Sequence, residues 1–436
     1  MQFLSTSGGA PAARLESALQ NALAPDGGLY VPESLPRFDR SDLEGCERLP
    51  EVATRLLAPF FAGSTLASSL TEIAGDALDI PAPLVPLDGQ PGAHVLELYH
   101  GPTAAFKDFG ARFLAACLSR LESKRRTVLV ATSGDTGGAV AAAFHRRTGT
   151  RVILLYPAGG VSPRQAQQLG CWGDNVETLC VRGTFDDCQA LVTGAFSDAA
   201  LVARHGLASA NSINLGRLLP QTSYYAAASL AHRRASGRPV SFIVPTGNLG
   251  NALACVWARA MGMPIEEIVL ATNANHTITD YLRTGHWQPR ASIATPASAM
   301  DVGNPNNMAR LLAFAGDADG VRGCVRAQAV SDDAIRDEIA STFRESGRIA
   351  CPHTAVALRV LRELPAQERA DREWVVVATA HPAKFDTVVE PIIGGTIAVP
   401  DALAALLDQP AHAELIDARL DVLVTALERG SQGRSR

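Results

Sequence analysis

Lysine is nearly absent from this chain. Of 39 basic residues only three are lysines, Lys107, Lys124 and Lys384, which leaves 36 arginines. Surface cation duty has passed to arginine, which cannot form a Schiff base with an aldehyde. A lysine retained inside an apolar stretch is then either a group kept for chemistry or an ordinary solvated helix-start lysine. Scarcity alone leaves both open.

Other absences narrow the class. The net charge is −5 over 436 residues, so no basic field awaits nucleic acid. No apolar run reaches membrane-spanning length. Met1 to Ala12 has neither the charged start nor the apolar stretch of a secretory leader, so a cytoplasmic protein is expected. The eight cysteines show no CxxC and no Cys/His ligand spacing, and they read as reduced thiols with no metal site. Aromatics make up 6% of the chain, too few for a stacking surface. No HExxH, no Ser/His/Asp arrangement and no internal repeat stands out.

What remains is a pattern of alternation. After a helix-rich, proline-punctuated stretch to about residue 90, short apolar runs alternate with helical periodicity. Strands are predicted at Val95–Tyr99, Thr127–Ala131, Arg151–Tyr156, Val176–Val181, Val240–Val244, Ile268–Ala271 and Trp374–Ala378. Helices follow most of them. This predicts doubly wound, mostly parallel α/β sheets, which place ligands at the carboxyl ends of their strands. The tail from Asp401 reads as helical and Gly430 to Arg436 as frayed. Pro81 to Pro91 reads as a connector.

Four motifs sit at such strand ends. In His100-Gly101-Pro102-Thr103-Ala104-Ala105-Phe106-Lys107-Asp108-Phe109-Gly110, the apolar spacing puts Lys107 at a helix start. The positive end of the helix dipole lowers the pKa of an ammonium there and favours the neutral, nucleophilic amine. Pro245-Thr246-Gly247-Asn248-Leu249-Gly250-Asn251 is either a cradle of backbone N–H groups for a phosphate or carboxylate, or a tight strand-to-helix turn. It lacks the Lys-Ser/Thr of a nucleotide loop and the GxGxxG of dinucleotide folds. Ser133-Gly134-Asp135-Thr136-Gly137-Gly138 offers hydroxyls and backbone donors to an anion, or Asp135 is a plain N-cap. Thr379-Ala380-His381-Pro382-Ala383-Lys384-Phe385 offers a hydroxyl, or is a loop with a cation and a helix-start histidine. Asn211 to Arg217 adds an arginine suited to phosphate. One anion cradle, one enclosed lysine and one strand-end hydroxyl together suit pyridoxal phosphate.

These segments, with Ala24 to Pro32, Met300 to Leu311 and Pro352 to Val356, resemble the threonine synthase family in order from the N-terminal segment to about residue 395. The resemblance implies a fold-type II pyridoxal 5'-phosphate enzyme with an added N-terminal helical domain. It divides the chain into an N-terminal domain at 1–93, a large α/β domain at 94–126 and 211–400, a small one at 127–210, and a tail at 401–436. It implies that Lys107 is the catalytic residue and carries the cofactor aldehyde. Gly247, Asn248, Leu249, Gly250 and Asn251 wrap its phosphate, Thr379 faces the pyridine nitrogen, and Asp135 lies near the 3-hydroxyl. Ser133, Thr136, Asn214, Arg217 and Lys384 are the expected substrate-phosphate contacts. The chain departs from the family's pattern at Cys351, where an aspartate is expected before Pro-His-Thr. The implied reaction takes O-phospho-L-homoserine and water to L-threonine and phosphate, in a monomer or homodimer without nucleic-acid or membrane partners. A phospholyase acting on O-phosphothreonine, a dehydratase and a cofactor-binding protein without turnover are the rival readings.

Overall fold

The computed structural model describes residues 1–121 and 125–432. Two parallel sheets organise them. The larger has six strands in the order Arg326–Ala329, Ile265–Thr272, Val240–Pro245, Trp374–Ala378, Ala93–Glu97 and Leu84–Pro86. All neighbours run parallel except Leu84–Pro86, which is antiparallel to Ala93–Glu97 at one edge. The smaller sheet has five parallel strands in the order Glu414–Asp417, Val176–Arg182, Thr150–Pro157, Arg126–Ala131 and Leu207–Ala208. Central strands of both sheets are buried on both faces, which is why they read as unbroken apolar runs: every residue of Arg126–Ala131, Val240–Pro245 and Trp374–Ala378 is buried.

The expected strands therefore form, most within two residues of the ends read from the sequence. Four edge strands differ from expectation, among them the two-residue Leu207–Ala208. Leu84–Pro86 comes from the proline-studded stretch read as a connector. A proline is tolerated there because an edge strand leaves one row of backbone groups unpaired. Glu414–Asp417 lies in the tail read as helical, between the helices Asp401–Leu407 and Leu420–Gln432, and pairs with the smaller sheet. Arg326–Ala329 is short and only partly buried. The stretch expected to fray is helical to Gln432, and 433–436 lie outside the described residues.

The N-terminal part packs as a helical layer with a small antiparallel pair, Phe3–Ser5 on Tyr30–Pro32. Its helix Leu49–Phe61 buries Val52, Ala53, Leu56, Leu57, Phe60 and Phe61, a helical stripe. Phe61 meets Phe113 of the helix that begins at Lys107, ring edge to face, with centroids 6.0 Å apart. So the N-terminal helices brace the back of the element that presents the lysine. No helix among the described residues is long and apolar enough to cross a membrane. All eight cysteines are free, and five are buried.

Candidate active site

Lys107 is the first residue of the helix Lys107–Arg120. The loop before it is fastened on two sides. Thr103 donates from its backbone N–H and its hydroxyl to Asp108, at 2.9 and 2.7 Å. The Phe106 N–H donates to the Thr379 carbonyl at 2.8 Å, and His381 N–H to the Ala104 carbonyl at 3.0 Å. The lysine loop and the Thr379 loop are thus one hydrogen-bonded unit at the carboxyl end of neighbouring strands. Ala104 adopts a left-handed conformation, φ 54°, to make this turn. Burial, then the nearby Arg217 guanidinium, brings the Lys107 ammonium down to about 8. The Nζ stands 4.8 Å from the centre of the Phe106 ring.

Two adjoining cavities of about 190 and about 60 Å³ meet at Lys107, sharing Ser212, Asn248 and Ala299 as well. The smaller is walled by Thr246 to Asn251 on one side and by Thr379, His353 and Asp135 on others. Between the strand Val240–Pro245 and the helix Gly250–Ala260, the backbone N–H groups of Gly247, Asn248, Leu249, Gly250 and Asn251 donate to no protein group among the described residues. Leu249 sits at φ 60°, a left-handed residue that turns successive N–H groups inward. Gly247 must be glycine: a Cβ would fall 2.7 Å from Met300 Cα and 2.8 Å from its carbonyl oxygen. Asn248 ties the loop down, donating to Ser212 Oγ at 2.7 Å and accepting from Asn306 N–H at 2.6 Å. The Asn251 amide oxygen accepts from the hydroxyls of Tyr224 and Tyr225, while its Nδ2 is buried without a partner. The cradle therefore has spare donors in a fixed shape, which an elongated phosphate ester can use.

The Ser133 loop follows the strand Arg126–Ala131. Thr132 Oγ1 accepts from the N–H groups of Gly134 and Gly137, fixing a turn in which Gly134 takes φ 123°. Ser133 and Thr136 both line the larger cavity. Asp135 is not an N-cap. It is the first residue of its helix, and its carboxylate turns to Lys384 and Gln165, at 2.8 and 3.0 Å. Burial alone would raise its pKa, but the Lys384 ammonium holds it below the usual carboxylate range.

The structure corrects two expected substrate contacts. Lys384 is fully buried and lines neither cavity; its Nζ is spent on Asp135 and on the Thr103 carbonyl at 2.7 Å. Asn214 is also fully buried. It caps a short helix through Gly216 N–H at 2.9 Å and donates to the Leu19 and Ser209 carbonyls. Both side chains satisfy protein groups, because a buried ammonium or amide without partners is costly. Arg217 is buried against the smaller cavity, one guanidinium arm on the Ala210 carbonyl and its Nε without a partner. Its pKa is lowered to about 10 by burial.

Ser212 reads in the sequence only as part of a polar turn and His353 only as a helix-start residue, and Arg290 is not marked at all. Ser212 and Arg290 line the larger cavity. Arg290 comes from a loop with no periodicity, so nothing in the sequence marks it. His353 borders the smaller cavity, accepts from Ala299 N–H at 3.0 Å, and is kept neutral by burial, with its pKa lowered to about 4. Cys351 caps the helix Pro352–Glu363, its sulfur accepting from Thr354 N–H at 3.4 Å. The thiol does the work expected of an aspartate there.

This geometry fits a molecule with a phosphate at one end and an aldehyde at the other. Comparison with known proteins points the same way. The family described as pyridoxal-phosphate dependent enzyme matches residues 78–380, threonine synthase N terminus matches 2–78, and threonine synthase, C-terminal, matches 354–426. The chain is 39% identical over 407 residues to the threonine synthase of Escherichia coli K12, covering 90% of this chain and 91% of that protein. It is 34% identical to the Pseudomonas aeruginosa threonine synthase over the whole of both chains. The crystal structure of the pyridoxal-phosphate-bound threonine synthase from Brucella melitensis superposes with a TM-score of 0.90 at 34% identity, covering 99% of this chain and all of that one.

Proposed function

This chain belongs to the threonine synthase family of pyridoxal-phosphate-dependent enzymes, and from that premise we propose that it converts O-phospho-L-homoserine and water to L-threonine and phosphate, with the residue roles that follow. One observation carries the assignment of roles. Five unspent backbone donors and Lys107 line the same cavity. Lys107 would hold the cofactor aldehyde, Gly247 to Asn251 its phosphate, and Thr379 the pyridine nitrogen. When bound, pyridoxal phosphate supplies an electron sink for charge that develops beside the substrate amine.

The chain's own groups then do the proton work. Once its amine is free, Lys107 takes the proton from the substrate Cα, and its lowered pKa keeps it competent as a base near neutrality. The same amine would return protons to the substrate. A neutral hydroxyl at Thr379 would leave the ring nitrogen of a bound cofactor largely unprotonated and so limit charge withdrawal into the ring; a Cβ proton would then be removed, its electron pair would expel phosphate from Cγ, and water would add at Cβ. Asp135 is held ionised by Lys384 and so stays an acceptor on that wall. Ser133 and Thr136 offer hydroxyls to the substrate, and Arg290 is the guanidinium that lines the larger cavity, suited to the leaving phosphate.

The test is incubation with O-phosphohomoserine while phosphate release and amino-acid product are followed together. Equal amounts of phosphate and threonine support the assignment. Phosphate with 2-oxobutanoate and ammonia would replace it by a lyase. Lys107→Ala should lose both the cofactor's visible absorbance band and turnover.

A further inference from the structure

The opposite end of the larger sheet carries a second constellation that the reaction does not use. His94 lies on the strand Ala93–Glu97, Glu373 immediately precedes the strand Trp374–Ala378, and His232 is on the helix Gln221–Ser236. Strand pairing sets Trp374 beside Ala93 and Val375 beside His94, so Glu373 and His94 meet at the amino-terminal rim. The reaction site is at the carboxyl rim. One ligand atom from each of the three residues lies within 4.8 Å of the others.

Two independent features say that these atoms await something. His94 Nδ1 and His232 Nε2 are both buried and neither has a hydrogen-bond partner. A buried ring nitrogen without a partner loses its hydration for no return. His232's side chain is only 4% exposed, and its Nε2 stands 3.7 Å from Glu373 Oε2, longer than a hydrogen bond but close to the separation of two ligands on one tetrahedral ion. Glu373 is meanwhile held from behind. Arg238 Nη1 donates to its Oε1 at 2.8 Å, and Arg238 Nη2 reaches the Asp371 carbonyl. That leaves Oε2 directed toward the imidazoles, the arrangement in which an outer group orients a ligating carboxylate. The two rings stand edge to face with centroids 5.1 Å apart.

We propose that His94, His232 and Glu373 form a structural site for one divalent transition-metal ion of borderline softness, with zinc the best match. Two imidazole nitrogens and one carboxylate oxygen are a donor set used for zinc, with a fourth position left for water. Hard cations such as magnesium prefer all-oxygen shells and would bind poorly. The ion would join two strands of the sheet to the helix that covers them, and so stabilise the folded chain without touching the reaction. The spacing of residues 94, 232 and 373 has no local signature, which is why the sequence showed no metal motif.

The experiment uses the cofactor-loaded protein, treated with a chelator, desalted, and given Zn²⁺ or Co²⁺ before a second desalting. The expected result is one retained ion per chain, with Co²⁺ giving visible d–d bands, and a raised melting temperature with Zn²⁺ but not with Mg²⁺. His232→Gln and His94→Gln should each weaken Zn²⁺ binding by at least about tenfold. Glu373→Gln, at a partly exposed position, serves as the variant safest for folding and should do the same. All three should keep the cofactor absorbance band and turnover of the untreated protein. A wild-type chain that emerges without metal, or variants that retain it as well as wild type, overturns the proposal.

Discussion

Replacing Lys384 by methionine isolates the buried ion pair that links the two sheets. The side chains of Lys384 and Asp135 are 0% and 5% exposed, and their charged atoms are 2.8 Å apart. One belongs to the turn after a strand of the larger sheet, the other to the first turn of a helix on the smaller. Methionine fills the space but leaves a buried carboxylate with only Gln165 Nε2 as partner, at 3.0 Å, and leaves the Thr103 carbonyl with only the longer bond from Gln168 Nε2, at 3.3 Å. Removing one member of such a pair costs about 3–5 kcal/mol. Asp135→Asn combined with Lys384→Met removes the stranded charge, so the double variant should recover about 1–3 kcal/mol of that loss. Urea unfolding followed by circular dichroism and cofactor absorbance measures both. The pH dependence has a definite sign. Asp135 is held below its unfolded pKa, so the pair's contribution is complete above the ordinary carboxylate range and is lost as pH falls through the lowered folded value. The deficit of Lys384→Met should therefore narrow on acidification. A single variant within about 1 kcal/mol of wild type, or a double variant that costs the sum of the singles, refutes the reasoning.

Three further outcomes follow from the site. With Lys107 titrating at about 8, the apoprotein should capture pyridoxal phosphate at a rate that falls about tenfold per unit below that pH and levels off above it. At pH 7 the free amine is about 300-fold more abundant than for an unperturbed lysine, and a plateau reached only above pH 10 would contradict the burial argument. Gly247→Ala drives a methyl into the Met300 backbone and should weaken cofactor binding by at least about tenfold, read by absorbance titration, with the fold intact by circular dichroism. Arg290→Gln should raise KM for the phosphorylated substrate while the cofactor band is unchanged; an unaltered KM would remove Arg290 from the substrate pocket.

The central architecture was legible because strands buried on both faces carry little but apolar residues. A glycine-rich turn directly after such a strand marks a place where backbone must come close to another group. Lys107 and the Gly247 to Asn251 loop are local patterns, each readable within a dozen residues. The edge strands were not legible, since Leu84–Pro86 and Glu414–Asp417 are half exposed and too short to show a period. Lys384 shows a different limit. A lysine near a strand end looks the same whether it meets substrate or a distant carboxylate, and Asp135 is brought to it only by the packing of elements that flank the two sheets. Asn214 was a cap mistaken for a ligand, although the Gly216 N–H two residues on is the signature of that role.

The pairing of Glu414–Asp417 with Val176–Arg182 has a consequence for biosynthesis. Four of the five strands of that sheet lie within residues 126–208, yet the outer one, at 414–417, is made long after them. Until it arrives, one flank of a nascent parallel sheet offers unpaired main-chain groups to any neighbouring polypeptide. Arg151, which clasps the carbonyls of Ala426 and Leu427, can close its grip only once those residues have emerged. The late strand thus acts as a built-in guardian of that flank, and a product truncated before it would keep the edge exposed.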